Sequence, residues 1–177
     1  MQARGPLMIE HRLIERMIAV IRAALERVQR TNEIDPLFVD VAVDFLHTYA
    51  DRTHHGKEED IMFRELKKKN LSDADRRIMN ELIEEHEFGR KTTKDLMETN
   101  ASYRKGNAAV LGTITECLRA FVEFYPRHIE KEDKVFFPAA RAYVTEEEDQ
   151  AMLVEFYEFD RKMIHEKYTL VVQSLER

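Results

Sequence analysis

With 177 residues, 44% of them hydrophobic, the chain has the size of one domain spanning 1–177 and can bury a substantial core. Its net charge of −6 comes from interspersed acidic and basic residues, so there is no basic stripe of the kind nucleic-acid binding uses. A single cysteine, Cys117, suits a reducing cytoplasm, and no stretch approaches the ~18 apolar residues of a membrane span or looks like a signal core, so a soluble, unprocessed, cytoplasmic protein is expected.

Five glycines and four prolines are the main interruptions, and Leu, Ile, Met, Glu, Lys, Arg and Ala fill the stretches between them, which predicts an all-α protein. Pro6 suits the first turn of a helix that runs to about Gln29, with an apolar face of Leu7, Ile14, Ile18, Ile21 and Leu25 that also carries His11. After the break RTNEIDP, a second helix runs from near Pro36 to about Lys69 with Phe38, Ala42, Phe45 and Tyr49 on one face, and Gly56 is where it would bend. Ser72 and Asp75 resemble a capping box with aspartate in place of glutamate, opening a third helix to about Asn100 in which His86 follows Met79 and Leu82. SYRKGN is the next turn. A fourth helix begins near Asn107, with a kink or local restart expected at Pro126 and another distortion at Pro138. Thr145 and Glu148 form a better capping box, from which a fifth helix runs to Leu175. This order predicts an up-and-down four-helix bundle with an additional C-terminal helix.

Two stretches carry the same spacing of metal-binding side chains: His55, Glu59 and Phe63 in HGKEEDIMF, and His128, Glu132 and Phe136 in HIEKEDKVF. Residues four apart share a helix face, so each stretch can aim an imidazole and a carboxylate at one point. With His11 and His86, four helices each offer a histidine. Glu59 and Glu132 inside a bundle would cost several kcal/mol each unless a positive charge compensated them, and two metal ions would do so. Nitrogen and oxygen donors without thiolates suit iron or manganese better than copper(I), and zinc is compatible with the same donors. His54 and Glu58 remain as accessory candidates: they lie about 100° from His55 and Glu59 on a regular helix, which assigns His54 to an outer or surface position, while a wide site could admit Glu58. His165 on the fifth helix reads as an ordinary partly buried histidine, Tyr49 and Tyr125 lie near the ligand turns, and His47 faces away.

The segments LMIEHRLIERM, HHGKEEDIMF, EEHEFGR and HIEKEDKVFFP resemble the hemerythrin-like, or HHE cation-binding, family over nearly the whole chain. The resemblance implies a non-haem di-iron centre with His11, His55, His86 and His128 as terminal ligands, Glu59 and Glu132 as bridging carboxylates, and an oxo, hydroxo or water bridge. It departs from the oxygen carriers at Arg90, where they have a further histidine, and at Asp133, which stands at their bridging spacing and rivals Glu132. Arg90 leaves an open or solvent-filled metal position on this reading. Dioxygen, nitric oxide or peroxide are the implied partners, in sensing, storage or detoxification, by a metalloprotein that is more a binder than an enzyme, with weak peroxidase or oxidase turnover allowed. The alternative is an iron-responsive regulatory module that meets a protein partner without gas chemistry. A metal-free structural bundle is the third reading.

Overall fold

A computed structural model describes residues 2–175, apart from the side chains of residues 166 and 168–175. Helix α1 (Arg4–Thr31) ends on Asn32, whose positive φ of 55° turns the chain while its N–H bonds the Val28 carbonyl. Asp35 then caps the next helix by accepting the Leu37 N–H at 2.9 Å, with Pro36 in the first turn. This second rod is composite: α2 (Pro36–Asp44), π-helical segments Phe45–His55 and Glu58–Phe63, and α3 (Arg64–Leu66). It stops at Leu66 rather than near Lys69, because tighter three-residue bonds from Lys68 N–H to Glu65 O and Lys69 N–H to Leu66 O close the last turn.

The long α4 (Asp73–Arg104) follows, then a 3₁₀ turn Ala108–Val110 and α5 (Leu111–Lys131). A π turn, Glu132–Phe136, joins α5 to the short α6 (Phe137–Ala140), and after the 3₁₀ turn Arg141–Tyr143 comes α7 (Glu146–Leu175). All of these elements are helical, with no strand among the described residues. The helix continues through Pro126, and its α geometry gives way six residues later at Glu132. Both capping signals operate, but differently. Thr145 and Glu148 bond each other's backbone N–H reciprocally, at 3.2 and 2.9 Å. Asp75, one methylene shorter, binds the Ser72 hydroxyl at 2.6 Å, and the Ser72 N–H goes instead to the Tyr143 oxygen.

α1 and α4 lie along α5, α2 lies along α4, and α7 packs across the π segments of the second rod. The apolar interior is divided in two. One cluster contains Ile14, Ile18, Leu46, Ala50, Phe121, Tyr125 and Ile129, and the other Leu7, Phe63, Leu82, Phe136, Phe137 and Phe156. In α1, the second rod and α4 the step from one cluster to the other passes through a buried histidine, His11, His54 and His55, or His86, and in α5 it passes the buried Glu132, one turn after the buried His128. A polar layer is thus held between two oily ones.

Candidate metal centre

Seven side chains meet in that layer, all at most 2% exposed: His11, His54, His55, Glu58, His86, His128 and Glu132. Their donor atoms fall into two groups, His11–His54–Glu58–Glu132 and His55–His86–His128, each with its atoms within 4.8 Å of one another. The two carboxylates face both groups. Glu58 turns Oε1 to His54 Nε2 at 3.5 Å and Oε2 to His86 Nε2 at 3.3 Å. Glu132 turns Oε2 to His11 Nε2 at 3.1 Å, and Oε1 to His128 Nε2 at 3.3 Å and His86 Nε2 at 3.7 Å. The result is a two-histidine half and a three-histidine half with a carboxylate pair between them.

The inward atoms have no hydrogen-bond partner in the protein. The Nε2 atoms of all five histidines and all four oxygens of Glu58 and Glu132 are buried and unpaired. Burying so many donors unsatisfied, two carboxylates among them, is costly unless a cation meets them. The residues therefore fit a pair of metal ions, with imidazole nitrogen and carboxylate oxygen as the donor set. Cys117 lies elsewhere, half-buried, its thiol pKa pushed up by burial.

The outward side of four of the five rings is anchored. His11 Nδ1 donates to Asp133 at 2.8 Å, His54 Nδ1 to Glu10 at 2.9 Å, His86 Nδ1 to Glu59 at 2.7 Å and His128 Nδ1 to Glu85 at 2.8 Å. These bonds fix the tautomer and turn Nε2 inward, as outer carboxylates do around metal-binding histidines. His55 is held more loosely, with Nδ1 3.5 Å from Asp51. A cation stands behind each carboxylate: Arg12 on Asp133, Lys57 on Glu10, Lys131 on Glu85, and Arg90 on both Asp51 and Glu59.

The electrostatics follow this arrangement. Burial alone would depress His11, but the hydrogen bond to Asp133, the close approach of Glu132 and the charges of Glu132 and Glu58 raise it to about 10. His86 moves well up in the same way, against burial, through Glu132, Glu58 and Glu59. His55 moves well down, because burial and the neighbouring His86, His128 and His54 oppose its charge. Burial would raise Glu132, yet His128, His11 and His86 hold it well below the ordinary carboxylate range. Tyr125, buried with its ring 6.5 Å from both His55 and His128, is pushed far up by burial and stays a neutral phenol.

The structure brings together five of the six side chains read from the sequence: His11, His55, His86, His128 and Glu132. It does not bring Glu59 into either group. Glu59 is a quarter exposed, bonds the outer nitrogen of His86 and pairs with Arg90, while Glu58 holds the inner position. His54 likewise faces inward rather than outward. The regular-helix argument fails because this rod is π-helical on both sides of Gly56, with wider turns than an α-helix, and because adjacent histidines serve different halves. Arg90 leaves no shortage of imidazole, since His54 is the fifth. Asp133 bonds the outer face of His11 and does not sit between the halves. Of the remaining candidates, His47 and His165 are exposed, and Tyr49 is only half-buried, its pKa raised to about 12 by burial and by Glu10 and Asp160. Sequence reasoning kept Glu58 and His54 only as accessory candidates although they form an i,i+4 pair of their own, one position ahead of His55 and Glu59. The outer carboxylates Glu10 and Glu85 carry no spacing that would have marked them.

An all-helical protein with a buried imidazole and carboxylate cluster able to hold metal defines the class. The family model of the hemerythrin HHE cation binding domain matches residues 6–140, and the chain belongs to that family. Its relatives include uncharacterized proteins of Mycobacterium tuberculosis and Mycobacterium bovis, each 22% identical over 161 residues, or 90% of this chain and 62% of the relative. The chain thus spans less than two thirds of the length of these relatives. No solved structure matches it.

Proposed function

We propose that this chain is a non-haem di-iron protein of the cytoplasm that interacts with dioxygen, nitric oxide or peroxide, built as an up-and-down four-helix bundle with α7 appended. The observation that carries the reading is the set of inward, buried, unpartnered atoms, five imidazole Nε2 nitrogens and four carboxylate oxygens, in two groups, with Glu58 and Glu132 of the first also facing histidines of the second. On this reading His11 and His54 hold one ion, His55, His86 and His128 hold the other, and the two glutamates join them. An iron pair, when bound, supplies electrons to dioxygen or a binding position for nitric oxide or peroxide.

The chain's own residues orient and enclose that pair. The outer carboxylates lock the rings, and Phe137 and Phe63 stack on His11 and His86 at 5.8 and 6.0 Å between centroids, closing the layer to water on that side. Manganese or zinc would suit the same donors, so metal identity is part of the test. Metal analysis together with ultraviolet and visible spectra before and after exposure to oxygen decides the matter. Two irons per chain and oxygen-dependent bands support the proposal, and a folded chain without bound iron refutes it.

A second reading, an iron-responsive regulatory module without gas chemistry, draws support from one feature: α7, beyond the matched family segment, is joined to the cluster through Lys57. A large iron-dependent rise in stability with no spectral response to gas would favour it.

A further inference from the structure

Lys57 is fully buried, at 0% exposure. A buried ammonium costs several kcal/mol unless carboxylates compensate it. Two do, from different elements: Glu10 of α1, and Asp160 of α7 at 2.7 Å. Glu10 is already engaged, because its other oxygen accepts the His54 Nδ1–H at 2.9 Å. The side chains Asp160, Lys57, Glu10 and His54 therefore form one continuous polar line from the C-terminal helix to the two-histidine half. Its surroundings come from the same helix, with the Phe156 ring 5.9 Å from the Lys57 ammonium and Phe159 against Gly56 so closely that an added Cβ would lie 2.8 Å from it.

The other cations behind outer carboxylates differ in kind. Arg12, Arg90 and Lys131 are 56, 37 and 27% exposed, so water can take over part of their role. Water cannot do so for Lys57. Without it, Glu10 loses the partner that fixes its rotamer and is free to turn toward the groove it lines with Leu13, Tyr49 and Asp160. His54 would then lose its orientation, while the rings of the three-histidine half keep Arg90 and Lys131.

We propose that Lys57 is a positioning residue for the two-histidine half of the centre, and that through it α7 and the ion held there stabilise one another. This rests on the di-iron reading above. Linkage makes the coupling reciprocal: an ion that orders His54 and Glu10 strengthens the docking of α7, and docked α7 strengthens the hold on that ion by the same factor.

The test is an anaerobic titration of the chelated full chain with ferrous iron against a chromophoric chelator, paired with hydrogen exchange across residues 150–160. Wild type should bind two ions, and iron should slow exchange in that part of α7. Lys57→Met should keep the first ion at unchanged affinity, bind the second ~10- to 100-fold more weakly, and lose the effect of iron on α7. Asp160→Asn, at a partly exposed position, should weaken the second ion in the same direction by a smaller factor, and it decides the matter if Lys57→Met does not fold. Arg64→Met removes an exposed ion pair with Glu155 of α7 that has no connection to a histidine, and should change neither readout. Equal affinity for both ions in wild type and the Lys57 and Asp160 variants, or exchange in α7 indifferent to iron, overturns the coupling alone. Failure of wild type to bind iron overturns the di-iron reading and the coupling with it.

Discussion

Exchanging Glu58 and Glu59 one at a time for glutamine separates the inner carboxylate from the outer one. Both substitutions keep size and hydrogen-bonding capacity and remove one charge. Glu58 is fully buried with an oxygen toward each half, so Glu58→Gln removes a donor that both ions would share on the proposed reading. Glu59 otherwise pairs with Arg90 and meets the histidine layer at the far nitrogen of His86, a position whose loss weakens metal sites ~10- to 100-fold. Taking ~100-fold or more for Glu58→Gln and ~10-fold for Glu59→Gln, the losses are ~2.7 and ~1.4 kcal/mol at fixed free iron. At ~2–4 °C per kcal/mol for a domain of this size, the iron-loaded Glu58→Gln protein should melt ~5–11 °C below wild type and Glu59→Gln ~3–6 °C below. Thermal melts with and without chelator, run beside iron analysis, measure both quantities, and the gap between variants should close once iron is removed. A Glu59→Gln protein that lost more iron and more stability than Glu58→Gln would refute the assignment of the inner carboxylate.

Further expectations follow from the same geometry. Since the pKa of His11 is raised from 6.5 to about 10, its proton stabilises the chelated protein below about 6.5, and that contribution fades as pH rises toward about 10. An ion at His11 must displace that proton, so iron loading near neutral pH should release it and affinity should rise with pH; calorimetry in buffers of different ionisation enthalpy reads the release, and loading without any would contradict the assignment. Arg90→Ala frees both Asp51 and Glu59 and should weaken the ion of the three-histidine half ~10-fold, leaving helical content unchanged by circular dichroism. Gly56→Ala puts a Cβ against Phe159 and should destabilise the protein by ~1–3 kcal/mol through displaced α7, seen in denaturant melts.

Much of the fold could be read from the chain because its signals are local. The apolar period through Leu7, Ile14, Ile18 and Ile21, the Asp35–Pro36 start and the Thr145–Glu148 box each act within a few residues. Five of the seven inward side chains were legible for a similar reason: His11 and His86 lie inside apolar stripes, and His55, His128 and Glu132 belong to the repeated i,i+4 motif. The choice between Glu58 and Glu59 was not legible. HHGKEE offers two overlapping i,i+4 pairs, and which one turns inward depends on π turns that no propensity or spacing announces. The outer ring was hidden more deeply, because Glu10 to His54, Glu85 to His128 and Asp133 to His11 are contacts between distant parts of the chain, fixed only when the helices pack. Lys57 was read as part of a motif string, and its burial depends on α7, a hundred residues away in sequence.

The central claim is that two ions lie between these seven side chains. Anomalous X-ray diffraction at the iron edge, from crystals of the iron-loaded protein, tests it most directly. The account predicts two peaks, one beside His11 and His54 and one among His55, His86 and His128, with Glu58 and Glu132 contacting both. A single peak, or a pair in which Glu59 stands between the ions while Glu58 faces away, would contradict it.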